Sequence, residues 1–225
     1  MATYSRSDAL TGNDGSNGLD GRGGADRLEG AGGNDRYFVD HAGDEIVEAS
    51  EGGSDAVFSS VSHQLADEVE ALRLTGASAI NGSGNGSGNR LFGNAAANRL
   101  DGGDKSDGLF GGAGNDLLTG GAGADRFYFD TALDAAANVD AISDFADGDR
   151  IFLARSIFTE IAAGTLDPGA FCAGAAAADD SDRIVYDVST GNIFYDADGS
   201  GSGAAMLFAT VAVGTELEAA DFIGY

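Results

Sequence analysis

The chain has one cysteine, one proline, no tryptophan and two histidines in 225 residues. A single thiol, Cys172, excludes an internal disulfide and any cysteine-based zinc site. In its alanine-rich stretch it reads as a small apolar filler. Basic residues are also scarce: eleven arginines and Lys105 stand against 37 acidic residues, for a net charge of −25. No basic patch is available to neutralise phosphates, which excludes nucleic acid as a partner and disfavours anionic membrane surfaces. No run approaches the about 18 apolar residues of a membrane span, so no membrane insertion is expected. The opening MATYSRSDAL lacks the apolar segment of an export leader. Leu, Ile, Val and Phe make up about a fifth of the chain, whereas Gly and Ala supply 37 and 39 residues. With that composition and charge, a thick conventional core is not expected.

Of the acidic residues, 28 are Asp and only 9 are Glu. Short carboxylates among glycines suit a hard cation, because they reach inward without bulk. Their positions follow a period of nine. The first block reads GNDGSNGLD from Gly12, GRGGADRLE from Gly21 and GAGGNDRYF from Gly30. The second runs from Gly84 through GNGSGNRLF, GNAAANRLD, GGDKSDGLF and GGAGNDLLT to GGAGADRFY at Gly120. Position one is Gly throughout. Position six reads Asn17, Asp26 and Asp35, then Asn89, Asn98, Asp107, Asp116 and Asp125. Position eight reads Leu19, Leu28, Tyr37, Leu91, Leu100, Leu109, Leu118 and Phe127. Chance low complexity would not hold that phase through all eight units.

An x-U-x triplet with one large apolar residue makes a short strand with that residue pointing inward. The six residues before it make a turn in which glycines permit positive φ and expose carbonyls. Two units complete a coil, so residues 18 apart stack at the strand spacing of about 4.8 Å. Six or more oxygens from stacked turns, without sulfur or imidazole, suit Ca²⁺. Stacking by 18 pairs Asp107 with Asp125 as the best-formed edge. It sets Asp116 between Asn98 and Asp134, Asp26 on Asp44, and Asp35 on Asn17. Backbone candidates are positions one and three of each loop: Gly21 and Gly23, Gly30 and Gly32, Gly102 and Asp104, Gly111 and Ala113, Gly120 and Ala122. Asp44 and Ile46 take positions six and eight of a further unit beginning at Val39. Lys105 lies inside the loop before Asp107 and could set an ammonium near the ion. The series Asn85, Asn89, Asn94 and Asn98 reads as neutral hydrogen-bonded turns.

This in-phase nonapeptide resembles the calcium-binding repeat of RTX (repeats-in-toxin, or haemolysin-type) proteins. The departures are Arg22 and Ala31 at the second glycine, Lys105 at the fourth, and Asn for Asp at 17, 89 and 98. The resemblance implies an all-β fold, a parallel β-roll or β-solenoid of nonapeptide repeats with a C-terminal β-hairpin-rich cap. It also implies several Ca²⁺ ions, four or five. The expected organisation is a calcium-binding roll over 1–134, with repeat blocks at 12–47 and 84–134 and non-calcium coils at 48–83, followed by a cap over 135–225. The 48–83 stretch has lost its glycines but keeps strand character in DAVFSSVSHQL and EVEALRLTG, which predicts wider coils held by apolar stacking.

After Asp134 the period fails. NVDAISDFADGDRIFL carries alternating apolar residues around an Asp-Gly turn and predicts a hairpin. RIVYDVSTGNIFYDADGSGSGAAMLFATV predicts three more strands with turns at TGN and DGSGSG. An EF-hand at Asp196 lacks its bidentate Glu, since Leu207 stands at the twelfth position, so a turn is the better reading. Asp144, Asp147 and Asp149 read as turn and cap residues. The C-terminal region, ending DFIGY, is similar to that of serralysin-like exoproteins. That similarity implies an uncleaved signal for the type I secretion apparatus and an extracellular or cell-surface location.

Motifs for catalysis are missing. His41 and His63 form no H-E-x-x-H pair, there is no G-x-S-x-G elbow, and there is no phosphate loop. No enzyme is expected. The expected function is a secreted calcium-binding module that folds on extracellular Ca²⁺ and supports type I export and stability. The alternative is calcium-dependent surface adhesion or polysaccharide binding, which the calcium rolls attached to alginate-modifying enzymes suggest by analogy. Exposed aromatic rows would favour the alternative, but Tyr and Phe are expected to fall mostly at inward positions.

Overall fold

The single apolar residue of each triplet builds the fold. Gly18–Asp20, Arg27–Glu29 and Arg90–Phe92 are three-residue strands whose central leucine is buried between more exposed neighbours. In the computed structural model, which describes residues 6–225, successive strands of the roll alternate between two opposing faces. One sheet stacks Gly18–Asp20, Arg36–Val39, Ala56–Ser59, Ala71–Leu74, Arg90–Phe92, Gly108–Phe110, Arg126–Phe129 and Arg150–Leu153 in parallel. Opposite lie two groups, Ala9–Thr11 to Glu45–Val47, and His63–Gln64 to Asp140–Ile142, also parallel. The protein is an all-β, parallel β-solenoid. Two 3₁₀ turns, Pro168–Ala170 and Ala219–Asp221, are the helical elements among the described residues. No helix there is long and apolar enough to cross a membrane.

Register aligns Leu19, Tyr37, Val57, Leu72, Leu91, Leu109, Phe127, Ile151 and Phe222 in one inward column, all buried. Leu28 and Ile46, then Leu100, Leu118 and Ile142, face them from the other sheet. Each such burial contributes about 1.5–3 kcal/mol. One apolar residue per strand suffices for so thin a core, which is how a chain poor in bulky residues folds.

Two expectations are corrected. The stretch at 48–83 does continue the solenoid, on Val57, Leu65, Val69, Leu72, Leu74 and Ile80. Its coils are unequal rather than uniformly wider: Asp35 meets Asp55 20 residues on, and Asp55 meets Glu70 only 15 on. The hairpin over NVDAISDFADGDRIFL does not form. Asp140–Ile142 and Arg150–Leu153 belong to opposing sheets, each parallel to the strand beneath it. The roll therefore runs past Asp134 in a coil of 24 residues. The alternation was real, but its inward residues Ile142 and Ile151 face a shared core instead of pairing edge to edge.

At the C-terminal end the predicted strands form an antiparallel meander, Ile184–Asp187, Asn192–Tyr195 and Met206–Thr210, whose last strand runs parallel to Asp140–Ile142. The DADGSGSG segment is a connection, with the Gly203 N–H donating to Asp198. The final strand, Phe222–Gly224, pairs in parallel with Arg150–Leu153, and Phe222 is fully buried.

Candidate metal centre

Position six carries two jobs in this roll, one for each carboxylate oxygen. Oδ1 receives the backbone N–H of position six one coil below. Asp107 takes Asn89 at 2.6 Å, Asp125 takes Asp107 at 2.8 Å and Asp149 takes Asp125 at 2.8 Å. On the other edge Asp116 takes Asn98 at 2.7 Å and Asp140 takes Asp116 at 3.0 Å. Near the N-terminus Asp26 takes Asp8, Asp44 takes Asp26, Asp35 takes Asn17 and Asp55 takes Asp35.

The second oxygen is left over. Oδ2 of Asp26, Asp35, Asp55, Asp107, Asp116 and Asp125 is buried without a hydrogen-bond partner. Buried carboxylate oxygens are rarely left so, because desolvation without a partner costs several kcal/mol. At Asp26, Asp35, Asp107, Asp116 and Asp125 the free oxygen points at position one of its own loop: a Cβ on Gly21, Gly30, Gly102, Gly111 or Gly120 would collide with it. On Gly102 the same Cβ would also strike the Gly120 carbonyl. Glycine is needed at position one for space, and the space it leaves is lined by carboxylate and carbonyl oxygen. That donor set fits a hard cation such as Ca²⁺ and offers nothing to Zn²⁺ or copper.

Electrostatics agree. Burial pushes Asp107 up to about 7, Asp116 up to about 6 and Asp140 up to about 8, with the Asp116 charge adding to the rise at Asp140. Asp125 and Asp149 are raised by burial too. A bound divalent cation would hold these groups ionised.

Where Asn replaces Asp, the leftover atom becomes a donor. Asn89 Nδ2 donates to the Val69 carbonyl and Asn98 Nδ2 to that of Ile80, while both Oδ1 atoms accept from position two of their own loops, Asn85 and Asn94. Asn85 and Asn94 donate to carbonyls of the preceding coil in turn. The amides complete these turns without an ion, as the sequence implied.

The structure brings together Asp107 with Asp125, Asp26 with Asp44 and Asp35 with Asn17. Asp134 is a correction: it is exposed, turns its carboxylate to the Ala136 and Ala137 N–H groups, and leaves the place above Asp116 to Asp140. The reason is the six extra residues of the 24-residue coil, which loop out at 130–139. Asp44 closes its edge, since its Oδ2 accepts from Asp40 and His41. Among the position-three candidates, Gly23, Asp104 and Ala122 are exposed and Gly32 and Ala113 half-buried; Gly30, Gly102, Gly111 and Gly120 are buried, and Gly21 half-buried. Asp104 pairs with Ala122 as the two strands run on through their turns. Lys105 is exposed.

Sequence reading missed Glu48, Asp55, Glu70 and Asp140, and gave Asp144 and Asp149 only turn and cap roles. Asp140, Asp149 and Asp55 each begin a D-x-U triplet, Asp140-Ala-Ile, Asp149-Arg-Ile and Asp55-Ala-Val. That triplet was the available signal once the glycines were gone. Asp144 bonds the Gly120 and Gly121 N–H groups from the long coil, and Glu70 caps Asp55.

The aromatic expectation is also corrected. Position nine of one sheet faces outward and stacks into a row: Phe38 on Phe58, then Phe92, Phe110, Tyr128 and Phe152, with centroids 4.0–5.5 Å apart. The Arg73 guanidinium bridges the gap, 4.3 Å from the Phe92 centroid.

A two-sheet parallel roll whose turns aim unpartnered carboxylates at glycine backbone is a calcium-binding β-roll. The family described as the RTX calcium-binding nonapeptide repeat (4 copies) matches residues 3–37, 83–116 and 102–131, and the chain carries these repeats. No curated protein matches the chain.

Proposed function

We propose that this calcium-binding module is a folding switch that leaves the cell through a type I apparatus and folds on meeting extracellular Ca²⁺. The observation that carries the reading is the set of buried, unpartnered Oδ2 atoms at position six. Asp107, with the Gly120 carbonyl beside it, Asp116 and Asp125 hold ions in the second block; Asp26 and Asp35 do so in the first. Without cations, a net charge of −25 opposes the compact state and suits threading through a channel. With a dissociation constant near ~10⁻⁴ M and roughly millimolar Ca²⁺, each site adds about 1.4 kcal/mol. Four or five coupled sites then add roughly 5–7 kcal/mol, comparable to the stability of a whole domain.

Far-UV circular dichroism during a calcium titration from a chelated start tests the proposal. A cooperative coil-to-β transition near millimolar calcium is expected. A spectrum already β-rich in chelator and unmoved by calcium would overturn it.

A second reading, binding of an anionic surface polysaccharide, is favoured by the outer aromatic row. Arg36, Arg73, Arg90, Arg126 and Arg150 share that face, and Arg36, Arg73, Arg90 and Arg126 make no ion pair among the described residues. Guanidinium groups beside positive ring edges suit carboxylated sugars. Retention on an immobilised uronate polysaccharide, lost in Arg73→Ser with Arg90→Ser, would support this; equal retention would remove it.

A further inference from the structure

Asp35, Glu48 and Asp55 meet where the first repeat block gives way to the irregular coils. One oxygen from each carboxylate lies within 4.8 Å of the others. Asp35 and Asp55 are each 1% exposed; each uses Oδ1 in the ladder and leaves Oδ2 buried without a partner. Glu48 stands directly after the strand Glu45–Val47, one coil above Gly30, where a repeat would place its position-one glycine. Its Oε1 accepts from the hydroxyl of Tyr37, a fully buried phenol, and its Oε2 accepts from the Ala49 N–H at 3.2 Å. A Cβ on Gly30 would meet the Tyr37 hydroxyl, Asp35 Oδ2 and Glu48 Oε1 together, so these oxygens converge on one space. Neither ion pair among the described residues, Arg27–Glu29 nor Arg150–Asp221, involves any of them.

We propose that Asp35, Glu48 and Asp55, with the Tyr37 hydroxyl beside them, form a carboxylate-only cation site that takes the place of an ordinary repeat site at Asp35 and fills first. In the second block the Gly102 space pairs Asp107 Oδ2 with one peptide carbonyl, and the Gly111 space pairs Asp116 with Asp140; here three carboxylates converge. Charge count is a principal control on affinity for hard cations, and three carboxylates suit Ca²⁺ or a trivalent lanthanide. Mg²⁺ is disfavoured because it keeps several waters, and softer metals find no nitrogen or sulfur. Glu48 and Asp55 lie outside the residues matched to the repeat family, so no repeat motif assigns them. A cation here ties the loop Gly30–Asp35 to residues 48–55, clamping the first block to the apolar coils. The inference rests on the calcium-module reading only for the choice of cation.

Terbium is the probe, because a tyrosine beside a bound lanthanide sensitises its emission. The chain has no tryptophan. Among the described residues the other tyrosines are elsewhere: Tyr128 and Tyr225 on the outer row, Tyr186 and Tyr195 in the C-terminal meander. Sensitised emission should saturate before the circular dichroism changes, and calcium should displace it. It should vanish in Tyr37→Phe, and Glu48→Gln or Asp55→Asn should need about tenfold more terbium for half-saturation. Wild-type protein that folds with terbium but shows no sensitised emission, or shows it only in step with folding, overturns the site and leaves the folding switch standing. Emission unchanged in both carboxylate variants overturns it too. Protein that neither folds nor emits overturns both. Should a carboxylate variant fail to fold, the order of the two wild-type signals decides.

Discussion

Replacing Asp107 with asparagine removes a charge that the metal-free fold holds at a cost. The side chain is 2% exposed, its Oδ1 receives the Asn89 N–H at 2.6 Å, and its Oδ2 has no partner. Burial has pushed the carboxyl up to about 7 from 3.8. A rise of that size corresponds to roughly 2–4 kcal/mol of destabilisation of the ion-free fold near pH 7.5. An amide carries no such penalty, and Asn89 and Asn98 occupy the same position with their donors satisfied. The same change deletes the one carboxylate that shares the ion space with the Gly120 carbonyl. Once a site fills, its ion adds about 1.4 kcal/mol per tenfold rise in free calcium. At about 2–4 °C per kcal/mol for a chain of this size, that is about 3–6 °C per decade. The thermal midpoint, followed by circular dichroism against the logarithm of free calcium, is the assay. At the lowest calcium where both proteins fold, Asp107→Asn should melt about 4–16 °C higher than wild type. Its midpoint should then climb less steeply, by one ion's share, so that the two lines cross. Parallel lines with the variant below would refute the reasoning, because Asp107 would then be a hydrogen-bonding turn residue with no ion.

Three further outcomes are expected. Asp107, Asp116 and Asp140 are raised in the folded state to about 7, 6 and 8. Their contribution to the ion-free fold is therefore fully present below the unfolded value near 3.8 and is lost as pH rises through those folded values. In chelator the β content should grow as pH falls from 7.5 to 5.5, while in millimolar calcium the melting midpoint should fall as protons compete with the ion; the same direction in both buffers would contradict this. Ala31 and Lys105 hold φ of 75° and 65° where the repeat has glycine, so Ala31→Gly and Lys105→Gly should each stabilise by about 0.5–1 kcal/mol in urea melts, with a loss meaning that the native side chain holds a contact. Leu72→Ala, at the centre of the buried column, should cost about 2–5 kcal/mol in urea melts at saturating calcium, whereas a cost below about 1 kcal/mol would show that the coils lean on the metal rather than on the column.

The period of nine by itself determined the strand positions, the inward column from Leu91 to Phe127 and the edge on which Asp107 and Asp125 stack. Those facts are local, since one apolar residue and one carboxylate at constant spacing must land on the same two faces of every coil. Some irregular positions were legible too: Arg22, Ala31 and Lys105 stand where the repeat has glycine and hold positive φ. Only the tertiary structure decided what happens where the spacing changes. A coil of 24 residues carries Asp140 over Asp116 and leaves Asp134 outside, and a coil of 20 carries Asp55 over Asp35. Inserted residues loop out at no cost to the ladder, so the chain keeps its vertical register while losing its linear one. Stacking likewise decided the outer aromatic row, because Phe92, Phe110 and Tyr128 are merely every eighteenth residue until parallel strands set them ring on ring. Whether a carboxylate oxygen ends up bonded, as in Asp44, or stranded, as in Asp107, depends on which N–H groups the next coil presents, and that is a property of the stack.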